Sequence, residues 1–224
     1  MTETTGGPGR VRVWDVPVRL SHWLLVVLLA FSWWSAGENL QWHRWSGYAI
    51  LGIVLFRLYW GFAARGPARF ANFLRGPKAT LVYMRSLGER APSGKGGHNP
   101  LGAWSVVALL LVVLAQVIFG LFAVDVDGFE SGPLSYMVDF ETGRAFAELH
   151  DQTFRVLQVL VGLHVAAVLF YLAYKRTNLI APMLTGRQWL TTDPGPIATP
   201  LWRLALGLAL AGAATWFVAK GLQL

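Results

Sequence analysis

The sequence predicts an all-α integral membrane protein, and three observations carry that prediction. Hydrophobic residues make up 54% of the 224-residue chain and charged residues only 14%, against roughly one quarter charged in soluble domains; mean hydropathy is +0.46. Five runs are long and apolar enough to cross about 30 Å of hydrocarbon. One of them, AELHDQTFRVLQVLVGLHVAAVLFYLAYKR, carries two histidines, His150 and His164, fourteen residues apart. On a helix, steps of about 100° return the second imidazole to within roughly 40° of the first, about 21 Å further along. One helix face therefore presents an imidazole near each membrane surface.

The spans are expected near residues 18–37, 44–63, 102–124, 151–174 and 201–220. Together they consume most of the chain, so a single integral domain is favoured over separate soluble ones. The first follows a short polar leader with no small-residue cleavage signal and reads as an uncleaved anchor. The second opens on His43, in LQWHRWSGY. The third is entered through GGHNPLG, where Asn99 suits a helix cap, Pro100 the first helical position and His98 a structural place in the loop. About 25 residues then separate the third and fourth spans, a length suited to a docking surface carrying a short amphipathic helix. A Pro-rich linker, TTDPGPIATP, precedes the fifth span, whose polar groups are Trp202 and Arg203 at its start and Thr215 within it. Packing or partner contact is its expected role.

Orientation follows from the basic residues. Arg10, Arg12 and Arg19 precede the first span. Arg65, Arg69, Arg75, Lys78, Arg85, Arg90 and Lys95 lie between the second and third, and Lys175, Arg176, Arg187 and Arg203 between the fourth and fifth. These belong to the cytoplasmic side, which puts the N-terminus in the cytoplasm and the C-terminus on the opposite side of the membrane. The other side holds Glu38, Asp125, Asp127, Glu130, Asp139, Glu141, Glu148 and Asp151. The net charge of +7 is thus polarised. Topology and anionic lipid account for the basic face, and no nucleic-acid-binding motif opposes that reading.

Depth sorts the histidines. His22, in VRLSHWLL, lies at the cytoplasmic end of the first span and His43 at the outer end of the second. Because the fourth span runs from outside to inside, His150 is outer and His164 inner. Depth pairs His22 with His164 and His43 with His150, and each pair offers the two axial imidazoles of a six-coordinate b-type haem. The chain has no cysteine, which excludes disulfides, thiolate-held iron-sulfur clusters and c-type haem attachment. Zinc or copper would want three or four clustered ligands, and a diiron site would want inward carboxylates; neither pattern is present. Gly47, one turn beyond His43, and Gly162, just before His164, could admit a flat macrocycle, although small residues also serve helix packing. Arg19 and Arg57 are candidates to pair with haem propionates or a quinone headgroup, and Arg44 and Arg155 with the outer propionates.

RLSHW on the first span, H-x-x-x-GY followed by R-x-x-WG on the second, GHNPLGAWS entering the third and H-x13-H on the fourth resemble the bacterial diheme cytochrome b family. That family includes cytochromes of the five-sixty-one type and the cytochrome subunit of nickel-iron hydrogenases. The resemblance runs from about residue 10 to residue 190. It implies a four-helix transmembrane bundle with two b haems on His22, His43, His150 and His164, spanning residues 1–190. Residues 191–224 then supply the linker and an additional fifth helix, which departs from that core.

Transmembrane electron transfer is the expected function, with a periplasmic redox protein such as a cytochrome c or a hydrogenase or dehydrogenase subunit at the outer haem. The resemblance implies quinone, ubiquinone or menaquinone, as the small partner. A superoxide oxidase reducing quinone is an alternative, but it should offer a basic funnel to its anionic substrate. The outer loop is acidic instead, and only Arg144 and Arg155 relieve it. A haem-containing anchor subunit without turnover of its own is a further alternative. A transporter is disfavoured, because the spans lack broken helices and midplane carboxylates.

Overall fold

The computed structural model describes residues 9–88, 99–125, 131–190 and 197–222. The chain begins with a short strand, β1 (Gly9–Arg12), and enters the first long helix, α1 (Val16–Ala36), through Asp15, whose carboxylate accepts the Val18 N–H at 2.9 Å. A brief turn leads to α2 (Leu40–Ala63), capped by Asn39 on the Trp42 N–H at 3.0 Å. Such a short connection forces the two helices to lie antiparallel and adjacent. Two short helices follow, α3 (Phe70–Phe73) and α4 (Pro77–Arg85). The third long helix, α5 (Pro100–Phe122), starts where the sequence places it, with the Asn99 side chain accepting from the Gly102 N–H at 2.7 Å. Beyond it come α6 (Phe140–Ala173), α7 (Ile180–Thr185), a second strand, β2 (Arg187–Leu190), and α8 (Leu201–Ala219). Helices α1, α2, α5, α6 and α8 are each long and apolar enough to cross a membrane.

The fourth long helix differs from its expected bounds. It starts at Phe140, eleven residues before the expected 151, because Asp139 caps it on the Thr142 N–H at 2.9 Å and hydroxyl at 2.7 Å. The amphipathic helix expected inside the preceding loop is thus the first turns of α6 itself. Its 34 residues span about 51 Å at 1.5 Å each, so it outreaches the hydrocarbon and carries His150 well inside a continuous helix.

Packing divides the bundle into two antiparallel pairs. Helix α1 packs along α2 and α5 along α6, and α2 joins the pairs through α5. Ile50, Leu51 and Val54 of α2 meet Val113, Val117 and Leu121 of α5 and Leu157 of α6 in the central core. Helix α6 packs most closely on α5 and meets α1 and α2 mainly through side chains. Helix α8 lies on the far side of α2, where Gly207 admits the Tyr59 ring: a Cβ there would stand 2.5 Å from it.

A two-stranded antiparallel ribbon, outside the sequence reading, ties the leader to the segment after α6. It pairs Gly9 with Leu190 and Arg12 with Arg187. The turn leading into β2 is Gly186, at φ +77°, whose carbonyl accepts from the N–H groups of Val13 at 2.8 Å and Trp14 at 3.2 Å. The ribbon, the N-terminus of α1 and the C-terminus of α6 therefore share the basic end of the bundle. At the opposite, acidic end, the Tyr136 hydroxyl donates to the Gly221 carbonyl just past α8.

Candidate functional site

Two pairs of imidazoles face each other across the gap between α6 and the α1–α2 pair. At the basic end the rings of His22 and His164 have centroids 6.3 Å apart and planes inclined by 54°. At the acidic end the His43 and His150 centroids lie 5.9 Å apart, at 84°. A metal–imidazole bond of about 2.0–2.1 Å, plus about 1.1 Å from nitrogen to ring centre, puts two rings on opposite sides of one metal ion about 6.3 Å apart. Both spacings match that geometry.

The acidic-end rings are also held in a defined tautomer. His43 Nδ1 is 2.8 Å from the Ser32 carbonyl oxygen and 3.2 Å from the Ser32 hydroxyl. His150 Nδ1 is 2.8 Å from the Gln116 carbonyl oxygen. A carbonyl only accepts, so each Nδ1 carries the proton and each Nε2 keeps a free lone pair, the form required of a metal ligand. Helix α5 reaches His150 closely because of Gly120, where a Cβ would stand 2.9 Å from His150 Cε1. Ser32, Gln116 and Gly120 were not singled out by the sequence. A backbone acceptor leaves no trace in side-chain chemistry, and the only hints were Gln116 as the polar residue inside α5 and a glycine four residues beyond it.

Around the basic-end pair, three buried polar atoms have no hydrogen-bond partner among the described residues: His22 Nδ1, Arg19 Nε and Arg57 Nη1. Arg57 is only 8% exposed and lies within electrostatic reach of His22 and Asp15. The Asp15 carboxylate is engaged by the Val18 N–H and, at 2.8 Å, by the Trp60 indole. An orphaned guanidinium N–H next to a ligand-like imidazole suits an anionic group such as a propionate. Arg19 donates through Nη1 to the Leu184 carbonyl at the end of α7.

The remaining candidates are placed as follows. Gly47 and Gly162 face open space, with nothing within 4 Å of where a Cβ would sit, which leaves room beside the imidazole pairs. Arg44 is half-buried one residue from His43. Arg155 is exposed and paired with Asp151 at 2.7 Å. His98 lies outside the described residues.

Among the described residues no three His, Cys, Asp or Glu side chains converge on a common point. Two facing imidazoles with no third ligand among the described residues would suit a metal whose remaining positions a macrocycle fills. The imidazole pairs, the room beside them and the unpartnered guanidinium N–H all fit haem.

A family model described as prokaryotic cytochrome b561 matches residues 13–186, which take in all four paired histidines and end before α8. No curated protein and no solved structure matches the chain.

Proposed function

The chain belongs to the prokaryotic cytochrome b561 family, whose members carry electrons through membranes by b-type haem, and from that premise we propose a two-centre path across the bilayer. His43 with His150, and His22 with His164, would each hold one b haem. Electrons pass between a periplasmic redox protein at the acidic end and the membrane quinone pool, ubiquinone or menaquinone.

The observation that carries this reading is the pair of ring spacings, 6.3 and 5.9 Å, on ligands that α6 holds about 21 Å apart along its axis. Bound haem supplies a one-electron iron couple at each station. The protein's own part is to present a neutral Nε2 from each side, to hold the acidic-end rings through Ser32 and Gln116, and to surround the path with apolar side chains. Arg57 offers a fixed positive charge to a propionate, and Arg19 and Arg44 stand near the two ends as weaker candidates.

The acidic end carries exposed Glu38, Asp139, Glu141, Glu148 and Asp151, which favours a cationic donor such as a basic cytochrome over an anionic substrate. The basic-residue asymmetry favours an N-terminus in the cytoplasm.

Haem counting tests the proposal. The purified chain should bind two b haems, lose about one in His43→Ala and about one in His164→Ala, and become reduced on adding a quinol. A wild-type content of one haem or none, or two haems retained in the double variant His43→Ala/His150→Ala, would overturn the assignment.

A further inference from the structure

Helix α8, which the family match does not cover, builds a feature of its own against α2. At the basic end a cavity of about 660 Å³ opens between the last turn of α2 and the first turn of α8. Three guanidinium groups line it, those of Arg65, Arg69 and Arg203, with Tyr59, Phe62 and Trp202 as aromatic walls. Its frame is hydrogen-bonded. Arg203 donates through Nη1 to the Ala63 carbonyl at 2.9 Å, the Tyr59 hydroxyl donates to the Arg203 carbonyl at 3.0 Å, and the Arg65 N–H donates to Thr199 Oγ1 at 3.2 Å. The Arg203 guanidinium also lies 5.3 Å from the Trp202 ring centre, a cation–π distance.

Among the described residues no carboxylate pairs with the charges in this cavity. Arg65 and Arg69 are exposed, and among the described residues the ion pair is Arg155 with Asp151 at the other end of the bundle. Its rim is apolar and turned outward: Phe62 is 73% exposed, Trp202 62% and Leu206 43%. Aromatic and Arg side chains at the ends of membrane spans sit where headgroups meet acyl chains. The occupant must therefore be anionic at one end and apolar at the other. A quinone lacks the charge, and a soluble anion makes no use of the apolar rim.

We propose that this cavity binds an anionic phospholipid. Arg65, Arg69 and Arg203 receive the phosphate, and the acyl chains run down past Leu206 along the outer face of α8. Guanidinium groups suit phosphate oxygens because they donate in parallel pairs, and basic pockets between membrane helices are known sites for such headgroups. Tyr59 lies two residues beyond Arg57, about 200° around the helix, so the cavity faces away from the histidine pairs and the proposal stands apart from the haem assignment.

The test uses the full haem-loaded chain in a neutral detergent, with lipid adducts read by native mass spectrometry. Dioleoyl phosphatidylglycerol should bind at least tenfold more tightly than dioleoyl phosphatidylcholine, and inorganic phosphate should not displace it at equal concentration. Arg65→Gln/Arg69→Gln should weaken phosphatidylglycerol by tenfold or more with the haem spectrum unchanged, and Arg65→Lys/Arg69→Lys should recover part of the binding. Equal binding of the two lipids would overturn the proposal whatever the variants do. So would undiminished binding by a folded Gln variant, or displacement by inorganic phosphate, which would mark a free-anion site.

Discussion

His150 Nδ1 stands 2.8 Å from the backbone carbonyl oxygen of Gln116, so the α5 main chain aims the imidazole that faces His43. The approach depends on Gly120, since a Cβ there would lie 2.9 Å from His150 Cε1. Gly120→Val should push the ring out of line and lower the haem content of the purified chain from two towards one. The remaining haem should be that of the basic-end pair, leaving the spectrum of Gly120→Val close to that of His150→Ala. Two fully retained haems would show that α5 does not position this ligand.

The two ends also differ in the hydrogen bonds made by their ligands. Both acidic-end imidazoles have Nδ1 on a backbone carbonyl, Ser32 for His43 and Gln116 for His150, whereas His22 Nδ1 has no partner among the described residues. Donation from Nδ1–H makes an imidazole a stronger donor to iron and favours the ferric state. The acidic-end couple should accordingly titrate at the lower potential. Potentiometric titration of the wild type, with His164→Ala marking the couple that remains, assigns the two waves; the reverse order would refute the argument.

The histidine pairing is legible in the sequence because it needs only a helical period and a membrane polarity. His150 and His164 share a face of α6 at a spacing of fourteen residues, and the basic loops set which end each occupies. The start of α6 is less legible. Residues 140–150 carry Glu141, Arg144 and Glu148 and look like loop by hydropathy, while the Asp139 cap that starts the helix is one polar residue among many. The ribbon is hidden for a different reason: its strands are four residues each, and their partnership joins segments separated by four long helices. The role of α8 is hidden too, since its contacts with α2 rest on Gly207 and Ala211, small residues that any membrane helix could carry.

The cap of α6 carries a pH dependence. Hydrogen bonds from the Thr142 N–H and hydroxyl hold the Asp139 carboxyl below its ordinary value of 3.8. A carboxylate whose folded value is depressed contributes stability in full above its unfolded value, and that contribution is lost as the pH falls through the folded one. Protection of the amides in the first turn of α6, taken as exchange relative to each amide's intrinsic rate at the same pH, should therefore be full above the ordinary carboxyl value of 3.8 and fall as the pH drops below it. Asp139→Asn keeps a capping oxygen but cannot titrate in this range, so its exchange should show a flatter dependence. Identical pH profiles in the two proteins would remove the cap from the explanation.

Arg57 provides the sharpest test of the basic-end centre. It is buried at 8% exposure with Nη1 unpartnered, and Asp15, the carboxylate within its electrostatic reach, is already bound by the Val18 N–H and the Trp60 indole. A buried cation kept for an anionic propionate, and near an iron that gains an electron, favours the reduced state. At an effective dielectric of about 20, a unit charge within about 10 Å is worth on the order of 2 kcal/mol, or tens of millivolts for a one-electron couple. Arg57→Gln should lower the potential of the higher wave by that order and move the lower wave by about half as much or less, because the acidic-end centre lies about 21 Å along α6. Arg57→Lys keeps the charge but not the planar donor geometry, so it should fall between wild type and Arg57→Gln. An equal shift of both waves would mean that Arg57 supports the bundle as a whole and has no special relation to the His22–His164 site.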